Sequence, residues 1–120
     1  QSAELVVVEG AGGLMTPLNA DQTYLDLVQQ LKLDVVLVVA IRLGCINHAL
    51  LTAEAVRRDG LTLAGWVANE PGETMSCYLE NLDTLRRLLP APFLGEIPRL
   101  NPWNAEVAAD SLSISALCGM

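Results

Sequence analysis

Four apolar runs of the kind that fill a parallel sheet recur along these 120 residues, each separated from the next by a stretch with helical spacing of its apolar residues. The runs are "ELVVVE" (4–9), "DVVLVVAI" (34–41), "LAGWVAN" (63–69) and "FLGEIP" (93–98). A strand covered on both faces reads as continuous hydrophobicity, not as in-out alternation, so each run predicts a strand inside a layered α/β protein. Between them, "TYLDLVQQLKL" spaces Tyr24, Leu27, Val28 and Leu31 at i, i+3, i+4 and i+7, one helical stripe. "INHALLTAEAVRRDG" spaces Ile46, Leu50, Ala53 and Val56 along one face and stops at Gly60, a capping glycine. A third helix is predicted in "TMSCYLENLDTLRRLL", closed by Pro90. Strand and helix in strict alternation imply right-handed crossovers and a doubly wound, mostly parallel α/β sheet with helices on both faces. The tail beyond Trp103 reads equally as a short helix or a last strand.

A chain of this length fits one domain, taken here as residues 1–120. Its 52% hydrophobic content against 18% charged rules out disorder over any long stretch, and no apolar run reaches the ~18 residues of a membrane span. A net charge of −7, from 14 acids against 7 bases, would repel a phosphate backbone, so neither nucleic acid nor membrane is an expected partner. Cys45, Cys77 and Cys118 are odd in number and widely spaced, without C-x-x-C, which argues against a disulfide framework or zinc site and favours a reducing cytoplasm. The chain opens on Gln1 and reaches its first strand almost at once, as a piece of a longer protein would.

Ligands of doubly wound folds sit beyond the carboxyl ends of the strands, which selects four segments. After the first run, Glu9 precedes Gly10, Ala11, Gly12 and Gly13, small residues that let amides approach an anion while the carboxylate takes a hard cation such as magnesium. The same letters also spell a tight turn with a solvated Glu. After the second, "RLGCIN" opens a helix whose first amides and positive dipole end suit a carboxylate or phosphate, or form an ordinary loop. After the third, Asn69 offers donor and acceptor side by side for an adenine edge, or simply a turn beside Pro71 and Gly72. The fourth is "PRLNPW". His48 reads as a surface residue, and Trp66 and Trp103 as packing residues.

Taken together, "VVVEGAGGLMTPL", "VVLVVAIRLGCINHALLTAEAV", "GLTLAGWVAN" and "PAPFLGEIPRL" resemble dethiobiotin synthetase, the ATP-dependent ligase of biotin biosynthesis, over nearly the whole chain. The resemblance implies a P-loop type α/β fold, a homodimer, and ATP with Mg2+. It also implies a reaction closing the ureido ring from 7,8-diaminopelargonate and carbon dioxide through a phosphorylated carbamate. By the same resemblance Glu9 is a magnesium ligand, and Glu9, Gly10, Ala11 and Gly12 lie against the nucleotide. Asn69 and Glu70 face the adenine, with Pro98, Arg99 and Leu100 bordering the base. Gly44, Cys45, Ile46 and Asn47 receive the substrate carboxylate across the dimer. Departures are equally plain: G-x-x-x-x-G-K-[ST] is absent, and Lys32, the only lysine, lies in the first helix. The chain thus corresponds to roughly the C-terminal half of the family sequence and is expected to be inactive by itself, with an uncovered sheet edge. The alternatives are a related P-loop amide-forming enzyme of cobalamin synthesis and a non-catalytic remnant retaining the dimer surface.

Overall fold

The computed structural model describes residues 3–72 and 76–118 and divides into two compact units, Gln1–Leu33 and Asp34–Met120. In the first unit an irregular segment and glycine-rich turn lead into helix α1, Tyr24–Leu31. The second unit contains, in order, β1 (Val35–Ala40), α2 (Cys45–Arg58), β2 (Leu63–Asn69), α3 (Tyr78–Leu88), β3 (Phe93–Ile97), α4 (Ala105–Asp110) and α5 (Ser115–Cys118). The strands form one parallel sheet in the order β1-β2-β3, with helices on both sides.

β2 is central. Its residues from Ala64 to Ala68 are buried without alternation, which is the signature of a strand covered on both faces. On one of those faces α2 and α3 pack against one another and enclose Val39, Ile41, Trp66, Ala68, Leu85 and Leu89. Trp66 is fully buried with its ring centroid 4.6 Å from that of Phe93, and Arg86 lies over the same Phe93 ring at 4.7 Å. α2 contributes Cys45, Ala49, Ala53 and Val56 as its innermost stripe, with Ile46 and Leu50 flanking. Small residues at three of those positions let the helix approach the strands closely. Gly60 closes the helix in a left-handed conformation, as the sequence predicts, its amide donating to the Arg57 carbonyl.

Two expectations change. Residues 4–9 form no strand, and residues 5–8 lie exposed, Val7 at 83%. An apolar run becomes a strand only where a neighbour satisfies its amides and carbonyls, and among the described residues this one has no sheet partner. In α1 the predicted stripe is rotated: Leu25 is the buried residue, while Leu31 is exposed. The predicted start of the third helix at Thr74 falls outside the described residues, and the described helix begins at Tyr78. The ambiguous tail resolves as helix, not strand. Two short helices bracket an isolated antiparallel bridge between Leu112 and Gly95 of β3.

Candidate functional site

The carboxyl ends of the three strands are tied edge to edge by backbone hydrogen bonds. The Ile41 amide, just past β1, donates to the Asn69 carbonyl at 2.9 Å, and the Glu70 amide, just past β2, donates to the Ile97 carbonyl at 3.0 Å. These two bonds bring three of the four predicted segments to one edge of the sheet: residues 42–47, Asn69 with Glu70, and residues 98–100. Asn69 and Glu70 are half-buried, Pro98 and Arg99 exposed, and Leu100 half-buried, so a rim of mixed polarity faces outward there.

The same edge carries a pair that sequence spacing cannot show. The Tyr78 hydroxyl, on the first turn of α3, donates to the Glu96 carboxylate on β3 at 2.5 Å. Partial burial, then the hydrogen bond to Glu96, then the nearby Glu96 and Glu70 charges, hold the Tyr78 phenol well above its usual range. Tyr78 and Glu96 lie 18 residues apart, and no local motif links them.

At the start of α2, Gly44 takes a left-handed conformation with φ 91° and leads directly into buried Cys45, half-buried Ile46 and exposed Asn47. Cys45's amide donates to the Arg42 carbonyl at 3.0 Å, closing the turn. Ile46 and Asn47 supply the helix-start amides that have no carbonyl one turn back within the helix. Cys45, with its side chain inside the core, is a packing residue here. His48 is exposed, as the sequence reading has it.

In the N-terminal unit, Glu9 is exposed and the turn after it is braced from below. Ala11's amide donates to the Tyr24 hydroxyl at 3.4 Å, and Gly13's to the Thr16 hydroxyl at 2.9 Å. Gly12 has φ 86°, and a Cβ there would lie 2.7 Å from the Thr16 Oγ1, so both conformation and space require glycine. Two amides that the sequence reading offers to an anion are therefore engaged inside the turn, leaving Gly10 and Gly12 as its candidate donors. Tyr24, read as a stripe residue, instead sits against Gly10. A Thr three residues beyond a glycine pair was the available signal for the Thr16 brace.

Among the described residues no three His, Cys, Asp or Glu side chains group as a metal cage. Magnesium does not need one, since it keeps several waters and binds through one or two carboxylates together with substrate phosphates. A solitary exposed Glu9 is compatible with that mode. Among the described residues, likewise, no helix is long and apolar enough to cross a membrane.

These features define a class before they define a reaction. The sheet flanked by helices is of the P-loop NTPase type, the sequence of residues 1–107 matches the model of a family described as an AAA domain, and the chain belongs to that family. Within it, the similarity is to ATP-dependent dethiobiotin synthetases. The chain is 56% identical over 116 residues to the enzyme of Aeromonas salmonicida, covering 96% of this chain and 51% of that protein. It is 50% identical over 117 residues to that of Cellvibrio japonicus (98% and 51%) and 54% over 107 to that of Escherichia coli K12 (88% and 48%). The chain thus spans about half the length of the curated relatives it matches.

Proposed function

We propose that these residues are the C-terminal part of a single P-loop type domain in a cytoplasmic, homodimeric ATP-dependent dethiobiotin synthetase. The observation that carries the reading is the identity of 50–56% to enzymes of that name across nearly the whole chain. The geometry supports it in two places. The Asn69, Glu70, Ile97 and Pro98 backbone forms one continuous rim, suited to the edge and face of an adenine. The left-handed Gly44 turn presents the Ile46 and Asn47 amides as a carboxylate receptor for one end of 7,8-diaminopelargonate, reaching it across the dimer.

The chemistry requires that an amine of the diamine take up carbon dioxide as a carbamate, that a carbamate oxygen accept the γ-phosphoryl of ATP, and that the second amine attack the carbonyl and expel phosphate. Two N–C bonds form, ADP and phosphate leave, and the amine protons pass to solvent. Phosphoryl transfer is governed by positioning and by neutralisation of charge on the phosphates. Mg2+ supplies that neutralisation when bound, and Glu9 is the carboxylate of this chain that would hold it. What the remaining residues contribute is placement: Gly10, Ala11 and Gly12 beside the nucleotide, Asn69 and Glu70 with Pro98, Arg99 and Leu100 around the base, and Gly44, Ile46 and Asn47 on the substrate tail, with Cys45 anchoring that turn in the core. The chain has no lysine-bearing phosphate loop, so the 120 residues alone are inactive in this account.

The test is phosphate release by the full-length protein in the presence of ATP, Mg2+, bicarbonate and 7,8-diaminopelargonate. Release that depends on the diamine supports the reading; release that responds to a corrin carboxylate and ammonia donor instead assigns the protein to the cobalamin enzymes. As a site-level check, Glu9→Gln should lower kcat at least about a hundredfold, as expected when a phosphate-bound cation loses its protein carboxylate.

A further inference from the structure

Beyond Ile97 the chain makes a closed excursion. It leaves β3, passes Pro98, Arg99 and Leu100, runs through α4, and returns to the strand it left. The return is backbone to backbone: Leu112 bridges Gly95 in antiparallel sense, and the Ser113 amide donates to the Leu94 carbonyl at 2.7 Å. Each stage of the path is fixed locally. Asn104 caps α4 by accepting from the Glu106 and Val107 amides, and buried Ala108 anchors the helix. The Ser111 and Leu112 amides close its last turn on Ala108 and Ala109.

Gly95 is built for this return. Its φ is 143°, and a Cβ there would lie 2.2 Å from the Ser111 carbonyl oxygen and 3.1 Å from the Leu112 Cα. The position is also the seat of a register shift, because β2 pairs Trp66 with Phe93 but Val67 with Gly95, leaving Leu94 as the extra residue. Bulges of this kind re-aim the residues that follow them, and here those residues are Glu96, Ile97 and Pro98. Pinning both ends of residues 98–111 to one strand limits how far residues 98–100 can depart from the Asn69 and Glu70 rim.

Resting on the reading of residues 98–100 as the nucleotide rim, we propose that the tail strap at Leu112 and Ser113, seated on Gly95, is a positioning device for the nucleotide base. Gly95 and Ser113 act through the loop and not on ATP themselves. A strap that only covered the edge of β3 against strand addition would leave nucleotide affinity untouched.

The experiment uses the full-length protein. Ser113→Pro removes the strap amide, whereas Ser113→Ala keeps it and serves as the conservative control. The expected result is a rise of about tenfold in KM for ATP with Ser113→Pro, the equivalent of losing one hydrogen bond. The ATP-to-GTP preference should fall, kcat and diamine KM should hold, and Ser113→Ala should behave as wild type. Gly95→Ala should follow Ser113→Pro. A second measurement needs no variant. Because coupling is reciprocal, saturating ATP should slow hydrogen exchange at the Ser113 amide of the wild-type protein. An unchanged exchange rate, or a Ser113→Pro protein with wild-type KM and nucleotide preference, overturns the proposal and leaves the function reading standing. Absence of any ATP binding by the wild-type protein overturns both.

Discussion

Tyr78 shows how a single residue ties an element to the site. Its hydroxyl joins the first turn of α3 to Glu96 on β3, and its phenol is held above its usual range by burial first and that carboxylate second. The sign follows directly. A raised folded-state value means that the protonated phenol stabilises the fold below its ordinary titration near pH ~10, and that this contribution is lost as pH rises beyond it. Denaturant melts of the full-length protein between about pH 9 and 11 should show stability falling with pH, with a shallower slope for Tyr78→Phe; equal slopes would remove the pair from the account. Leu85, fully buried between α3 and the sheet, should cost about 2–5 kcal/mol as Leu85→Ala, read by the same melts. At this scale the sequence was legible where a residue's position depends on its own strand or helix. Asn69 ends a strand and Glu70 follows it, Gly44 precedes a helix, and periodicity alone places them. Tyr24 against Gly10 and Tyr78 against Glu96 were not legible, because each contact is made between elements that the chain separates by many residues.

The three strands and the helices α2 and α3 stand where the hydrophobic periods put them, since each buries its face within the sheet layers that the sequence describes, and α1 forms where predicted with a different residue, Leu25, buried. The exception is residues 4–9, whose letters are those of a buried strand and whose backbone has no ladder to join. Hydrophobicity states what a segment needs, and pairing decides whether it is met. That difference is measurable. Val7→Lys in the 120-residue chain should change stability by no more than about 0.5 kcal/mol, because the side chain is 83% exposed. In the full-length protein, where the account has this run buried as a strand, the same substitution should cost several kcal/mol through an unpaired buried charge, on the order of 3–5. Equal small effects in both proteins would mean that residues 5–8 remain exposed in the longer chain too. The tail is the other lesson at this scale. Of its two readings, helix and strand, the described residues form the helix, and a single isolated bridge to Gly95 is all that they contribute to pairing.

For the molecule as a whole, the identity to dethiobiotin synthetases and the half-length coverage are what the proposal joins: in it, these residues offer one wall of a nucleotide site and a carboxylate receptor, completed by a phosphate loop elsewhere in the protein. Exposed apolar side chains occur in each unit, residues 5–8 in one and Val36 and Val38 of β1 in the other, and such exposure makes the isolated chain prone to association. Sedimentation of the 120-residue chain should therefore show concentration-dependent self-association, and a stable monomer across the micromolar range would count against it. The most direct test of the central claim is diaminopelargonate-dependent release of phosphate from ATP, measured side by side for the 120-residue chain and the full-length protein. The account predicts turnover by the full-length protein and none by the 120 residues; turnover by the short chain, or none by the full-length protein with substrate, bicarbonate and Mg2+ present, would contradict it.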